Sequence, residues 1–173
     1  MKKLKRNLRN SVLAIGLLSV VACSKDDTEQ VVYSPAKEAA EINSLIEELT
    51  ADGYDVDTTE TGVYYTMLVE GDGNYVQPGD SIGISYTGSF ANGYSFDSSS
   101  NQEDGIWRYV PDHITLIEGF SDAVSHLREG GSGKFIIPSA LGYGPNGYYI
   151  IPPYTPLIFE IELVAIYPDD TEL

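Results

Sequence analysis

The sequence is poor in the residues that cross-link a chain or hold a soft metal ion. It has one cysteine, Cys23, and two histidines, His113 and His126, among 173 residues. A single cysteine excludes an intramolecular disulfide and a cysteine-based zinc site, and the two histidines lack the spacing of metal ligands. We therefore expect no metal and no cofactor, and Cys23 needs a different explanation.

Positive charge is also scarce. Lysine and arginine number 10 against 26 acidic residues, which gives a net charge of -16 at neutral pH. Five of the ten cations lie in residues 1–10, and without that stretch the net charge falls from -16 to -21. A protein this acidic repels phosphate groups and anionic headgroups, so we expect no nucleic-acid partner.

The apolar run of residues 11–22 is too short to remain in a bilayer as a helix. It has 12 residues, whereas a membrane-spanning helix needs roughly 20. A basic start, a short apolar run and small residues at its end are typical of an export signal. Residues 20–23 (Val-Val-Ala-Cys) resemble a bacterial lipobox, whose cysteine is diacylated and becomes the new N-terminus. The alternative is an ordinary cleaved signal with an incidental thiol.

These features predict a lipoprotein signal peptide over residues 1–22 and a lipid anchor, such as palmitate, at Cys23. Residues 23–33 are polar and acidic, so we expect a flexible tether. Ser24 after the cysteine fits outer-membrane sorting, on either the periplasmic or the surface-exposed face. The acidic tract of residues 25–29 resembles the export tags of some cell-surface lipoproteins, although such tracts are also common as spacers.

Residues 34–53 show helical spacing. Apolar residues recur at the i, i+3, i+4, i+7 positions of one face, Ser34 suits the N-cap, Pro35 the first turn and Gly53 the end of the helix. The stripe either packs on the following domain or pairs with another helix. We favour packing and a monomer, because one short stripe is too small for a stable zipper.

Residues 54–173 form the main domain and alternate mostly with the period of a strand. The clearest case is residues 157–163, where Phe159 and Ile161 should face the core and Glu160 the solvent. Asn92-Gly93 predicts a type I′ hairpin turn, and residues 120–127 predict one short helix closed by Gly130. The expected fold class is α+β, an antiparallel sheet with one internal helix.

Several separated motifs in this domain resemble, in order and spacing, the FKBP family of peptidyl-prolyl isomerases. The resemblance covers residues 63–166. Its motifs are Tyr86-Thr87-Gly88, Gly93, Phe96-Asp97-Ser98-Ser99, Leu116-Ile117-Glu118-Gly119-Phe120, Pro138, Gly142-Tyr143-Gly144, Ile151-Pro152-Pro153, Leu157, Phe159 and Glu162-Leu163.

The resemblance implies a twisted sheet wrapped around the short helix, with a hydrophobic active site between them. It assigns catalytic roles to Asp97, Tyr143, Phe159 and Phe120. It assigns substrate binding to Tyr86, Phe96, Trp107, Leu116, Ile117, Tyr148 and Ile151. It further implies that the Tyr143 hydroxyl and the Ile117 N–H donate to substrate carbonyls, and we expect Asp97 to be a buried carboxylate.

Three departures from the family pattern concern this pocket. Phe120 stands where the family usually has tryptophan, so the pocket floor should be smaller and lack an indole donor. Tyr148 replaces a loop histidine, and the loop before Ile151 is one residue shorter. The segment between Ser99 and Trp107 is one residue longer and offers no arginine to pair with Asp97.

The resemblance implies a folding catalyst for exported proteins, acting on proline-containing polypeptides and binding tacrolimus-like macrolides. Rotation about an Xaa-Pro bond needs no nucleophile, and an aromatic pocket can favour the less polar, twisted amide. The alternative is a non-catalytic FKBP-like chaperone or adaptor that binds proline-containing or hydrophobic segments.

Overall fold

The computed structural model describes residues 32–167, which contain two α-helices and seven strands. The predicted signal peptide, Cys23 and most of the predicted tether lie outside these residues. No helix between residues 32 and 167 is long and apolar enough to cross a membrane. The elements are α1 (Pro35–Ala51), β1 (Asp57–Thr58), β2 (Tyr64–Val69), β3 (Ser81–Ser89), β4 (Ser95–Ser98), β5 (Trp107–Tyr109), α2 (Glu118–Ser125), β6 (Ser132–Ile137) and β7 (Leu157–Tyr167).

All seven strands belong to one antiparallel sheet. Its order is β1-β2-β6-β7-β3-β4, and β5 pairs with β3 outside this path. The central strand β7 alternates as predicted, with Phe159 and Ile161 buried and Glu160 exposed. The strand is therefore half buried, and its inner face supplies both core and pocket residues.

Helix α2 packs on the inner face of the sheet through Phe120, Ala123 and Val124. This arrangement confirms the predicted α+β architecture of a sheet around one short helix. The predicted helix end at Gly130 is wrong, because α2 stops at Ser125. The N–H of Gly130 instead donates to the carbonyl of Leu163 at 2.8 Å, so that glycine serves a sheet contact and not a helix cap.

Helix α1 has the ends that its sequence predicts. The Ser34 hydroxyl accepts the Lys37 N–H at 3.2 Å, and Gly53 follows the helix with φ +90°. Ile42 and Leu49 are buried on Ile136 of β6. The apolar stripe therefore packs on the sheet of its own chain.

The hairpin between β3 and β4 differs from the predicted type I′ turn. The turn runs from Phe90 to Gly93 and is closed by the Gly93 N–H donating to the Phe90 carbonyl at 2.9 Å. Only Gly93 in this turn has a positive φ, of +81°. The Phe90 N–H donates to the Tyr94 carbonyl at 3.0 Å, so the loop has three residues, and in such loops the positive φ falls on the last residue and not on Asn92.

Candidate active site

A hydrophobic pocket of about 600 Å³ lies between α2 and the sheet. All eleven residues that the sequence predicts for the site line it. Thr115, Tyr149 and Ile150 line it as well. The complete lining is Tyr86, Phe96, Asp97, Trp107, Thr115, Leu116, Ile117, Phe120, Tyr143, Tyr148, Tyr149, Ile150, Ile151 and Phe159.

The floor of the pocket is built from aromatic rings that meet edge to face. Phe159 from β7 and Phe120 from α2 have ring centroids 5.0 Å apart at 78°, and Phe96 from β4 meets Phe159 at 5.6 Å and 87°. Gly88 makes this packing possible, because a Cβ there would lie 2.7 Å from the Phe159 ring and 2.9 Å from the Phe96 ring. The floor is therefore a rigid apolar surface without an indole at Phe120.

Trp107 and Tyr86 form the adjoining wall. Strand β5 carries Trp107, which stacks on Tyr109 at 4.2 Å and tilts toward Tyr86 at 5.8 Å. The Tyr86 ring meets the edge of Phe120 at 5.5 Å. Strands β3 and β5 and helix α2 thus each contribute an aromatic side chain to the same pocket.

Asp97 lies at the exposed mouth of the pocket, so the expectation of a buried carboxylate is wrong. Its Oδ2 accepts the Tyr86 hydroxyl at 3.0 Å and its Oδ1 accepts the Ser98 N–H at 2.8 Å. Arg108, which is close in sequence, pairs instead with Asp104 at 2.6 Å. Tyr86 and backbone geometry therefore orient Asp97 in place of an arginine.

Two residues of the pocket lining carry a hydrogen-bond donor that has no acceptor among residues 32–167. One is the backbone N–H of Ile117, the N-cap residue of α2, and the other is the hydroxyl of Tyr143. Burial, followed by the Asp97 and Tyr148 groups, raises the pKa of Tyr143. Burial and the Asp97 carboxylate likewise raise the pKa of Tyr86. Both phenols therefore remain protonated donors at neutral pH.

The rim of the pocket is a small hairpin of residues 147–151. Tyr148 and Ile151 exchange backbone hydrogen bonds of 2.9 and 2.8 Å, and the Tyr148 ring stacks on Tyr143 at 5.4 Å. Tyr149 at the tip has φ +52° and is 95% exposed. Tyr149 and Thr115 were not predicted as site residues. The apolar sequence of the loop could have indicated Tyr149, whereas nothing in the sequence indicates Thr115.

This geometry suits a peptide ligand that places an apolar ring on the floor of the pocket and keeps its flanking amides at the mouth. The floor offers only carbon surface, whereas the polar groups lie at the edge as donors or, for Asp97, as a carboxylate acceptor. Exclusion of water from the floor strengthens hydrogen bonds made at its edge. The fold and the pocket together define an FKBP-like domain with an aromatic binding pocket.

The chain belongs to the FKBP-type peptidyl-prolyl cis-trans isomerase family, whose model matches residues 73–164, more than half of the chain. A probable FKBP-type peptidyl-prolyl cis-trans isomerase of Haemophilus influenzae is 33% identical over 150 residues, which cover 86% of this chain and 59% of that protein. An FK506-binding protein of Neisseria meningitidis serogroup B is 39% identical over 112 residues, which cover 61% of this chain and 97% of that protein.

Solved structures show the same fold. A peptidyl-prolyl cis-trans isomerase of Pseudomonas syringae has a TM-score of 0.65 and 28% identity, covering 80% of this chain and 98% of that one. FkpA from Escherichia coli has a TM-score of 0.62 and 27% identity, covering 77% of this chain and 62% of that one. The chain thus spans nearly the whole length of some relatives and about three fifths of the length of others.

Proposed function

We propose that this protein is a peptidyl-prolyl cis-trans isomerase that acts as a folding catalyst on proline-containing polypeptides. The observation that carries the proposal is the pocket itself. An aromatic floor of Phe120, Phe159 and Phe96 lines the same pocket as Ile117 and Tyr143, whose donors are unoccupied among residues 32–167. Each element of this arrangement has a part in rotating an Xaa-Pro amide.

Catalysis would arise from binding the twisted amide better than the planar one. The barrier to rotation is about 18–20 kcal/mol because rotation breaks amide resonance. In the twisted state the carbonyl is less polar, so the apolar floor is a better environment for it than water is. The proline ring would rest on Phe120 and Phe159, while the Ile117 N–H and the Tyr143 hydroxyl hold flanking carbonyls still.

Asp97 would contribute a fixed negative charge at the mouth. Its hydrogen bond from Tyr86 holds the carboxylate beside the pocket, where it can favour the electron-poor carbonyl carbon of the twisted amide. This role requires the charge and not a proton transfer. The proposed mechanism therefore needs no general acid and no general base.

We expect Asp97→Val to lower kcat/KM on the order of tenfold, because the fixed charge is lost and Tyr86 is released. Asp97→Asn should retain part of the activity. The measurement is the isomerisation rate of a proline-containing tetrapeptide with the purified full chain in detergent. Asp104→Asn, which removes an exposed acid paired with Arg108 outside the pocket, is the matched control.

The same assay separates catalysis from binding alone. A wild-type rate equal to the uncatalysed rate would exclude the enzyme and leave the chaperone or adaptor as the function. We propose that a tacrolimus-like macrolide binds in this pocket. Its binding would show that the aromatic floor accepts an apolar ligand, even if the protein does not catalyse isomerisation. Trp107 lines the pocket and is the single tryptophan of the chain, so its fluorescence is a local probe.

We propose that the protein is a lipoprotein of the cell envelope, anchored at Cys23 to the outer membrane and active on exported proteins as a monomer. The support is the lipobox-like run that ends at Cys23 and the acidic tether after it. Cys23→Ser is expected to release the protein from the membrane fraction of cells, because two or more acyl chains are needed for stable anchoring. Membrane association that persists in Cys23→Ser would contradict the anchor.

A further inference from the structure

Helix α1 reaches the active-site loop through one buried carboxylate. Glu38 is 9% exposed, and both of its oxygens accept hydrogen bonds from Ser139. Oε1 accepts the backbone N–H at 2.5 Å, and Oε2 accepts the hydroxyl at 2.8 Å. The two residues are 101 positions apart in the chain, so only the folded protein makes this contact.

No ion pair within residues 32–167 neutralises Glu38. The four lysines and arginines of this part of the chain lie over tyrosine rings or pair with other acids. Their partners are Tyr33 for Lys37, Tyr75 for Arg128, Asp104 for Arg108 and Glu160 for Lys134. A buried carboxylate costs free energy unless its oxygens receive hydrogen bonds, so the two Ser139 donors are what stabilise Glu38 on this apolar face.

The contact fixes the start of the turn that leads to Tyr143. Ser139 opens a single 3-10 turn of residues 139–141, and the residue before it, Pro138, supplies no side-chain cap. The first N–H of such a turn has no partner within the turn, and Glu38 provides the missing acceptor. The Ser139 carbonyl in turn accepts the Gly142 N–H at 2.9 Å. Tyr143 follows immediately.

The same turn contacts the start of α2. A Cβ at Gly119 would lie 3.2 Å from the Cβ of Leu141, so Leu141 packs directly on the first turn of that helix. Gly119 is two residues after Ile117, whose N–H is the other proposed donor. The turn held by Glu38 therefore leads directly to Tyr143 and packs on the first turn of α2, which follows Ile117.

We propose that Glu38 is a positioning residue for the isomerase site, whose carboxylate holds the 139–141 turn and so sets the place of the Tyr143 hydroxyl. The proposal rests on the isomerase function and deepens it. Helix α1 lies outside residues 73–164, which the family model matches. Under this proposal the helix is a working part of the active site and not a spacer before it.

The first test compares Glu38→Ala and Glu38→Gln in the purified full chain. Glu38→Ala is expected to lower kcat roughly tenfold with little change in KM, because a displaced donor is lost mainly from the transition state. Glu38→Gln keeps an acceptor oxygen for the Ser139 N–H and should restore most of kcat. The control is Glu47→Gln, which alters an exposed acid of the same helix and should match the wild type.

A double-mutant cycle with Tyr143→Phe separates positioning from general weakening of the fold. Once the hydroxyl is absent, Glu38→Ala should lower kcat no further. An equal loss in both backgrounds would overturn the proposal. An unchanged kcat in a folded Glu38→Ala protein would also overturn it. If Glu38→Ala does not fold, Ser139→Ala takes its place, since it removes only the hydroxyl contact and should act only when the Tyr143 hydroxyl is present.

A spectroscopic measurement keeps this inference separate from the isomerase function. In protein labelled with 3-fluorotyrosine, the fluorine resonance of Tyr143 can be assigned by its loss in Tyr143→Phe. That resonance should shift in Glu38→Ala and stay in place in Glu47→Gln. If the wild type is inactive but the Tyr143 resonance shifts in Glu38→Ala, the isomerase function is refuted and the positioning of Tyr143 by Glu38 still holds. If the resonance does not shift in Glu38→Ala, the positioning role is refuted.

Discussion

Replacing Phe159 with alanine is expected to reduce kcat/KM by roughly two orders of magnitude and the free energy of unfolding by about 3 kcal/mol. The residue serves both core and pocket. It is 5% exposed in the centre of the sheet, and its ring contacts Phe96 and Phe120. Truncation opens a cavity below the proline site and frees both neighbouring rings. The measurements are tetrapeptide isomerisation and denaturant unfolding.

Phe159→Leu is the matched control for this prediction. Leucine retains much of the core volume, so the free energy of unfolding should fall by only about 1–2 kcal/mol. It removes the flat ring, so kcat/KM should still fall about tenfold. Full activity in a destabilised Phe159→Ala protein would show that the ring serves packing alone.

Gly147→Ala is expected to act mainly on substrate binding. Gly147 has φ +64° and ψ -170°, a region of backbone space that is nearly exclusive to glycine and costs other residues about 1–3 kcal/mol. Its added Cβ would also overlap the Ile151 carbonyl oxygen and lie 2.7 Å from the Pro152 carbonyl carbon. The hairpin that carries Tyr148 must therefore open.

Loss of this rim should raise KM about tenfold and weaken binding of a tacrolimus-like macrolide to a similar extent, while kcat changes little. Trp107 fluorescence can report the macrolide titration. Gly79→Ala is the control, because Gly79 has φ +89° but open space around it. Equal KM values for Gly147→Ala and the wild type would mean that the rim hairpin makes no contact with the substrate.

The pocket could be predicted from the sequence because most of its residues lie in short local motifs. Alternation along β7 is a local property, so it gives the inward direction of Phe159 without any tertiary information. Once the motifs indicate the family, Phe96, Phe120 and Tyr143 follow by position. Each of these residues has a recognisable neighbour in its motif: Asp97 follows Phe96, Gly119 precedes Phe120, and glycines flank Tyr143.

Contacts between distant segments could not be predicted in this way. Nothing near Glu38 in the sequence indicates Ser139, because their meeting depends on how α1 docks on β6. The motif around Asp97 indicates a buried carboxylate, yet Asp97 is exposed at the mouth, because burial depends on which distant segments pack around it. Asn92 shows a third case, because the loop length set by the pairing of Phe90 with Tyr94 places the positive φ on Gly93.

The position of β7 also determines when the sheet can form during synthesis. Leu157–Tyr167 pairs with β6 on one edge and with β3 on the other. Until those residues leave the ribosome, β1, β2 and β6 can form only one half of the sheet, and β3, β4 and β5 only the other. Pairings so distant in sequence form slowly. The nascent chain therefore cannot join the two halves of its sheet until Leu157–Tyr167 is made, which is compatible with the export that we propose.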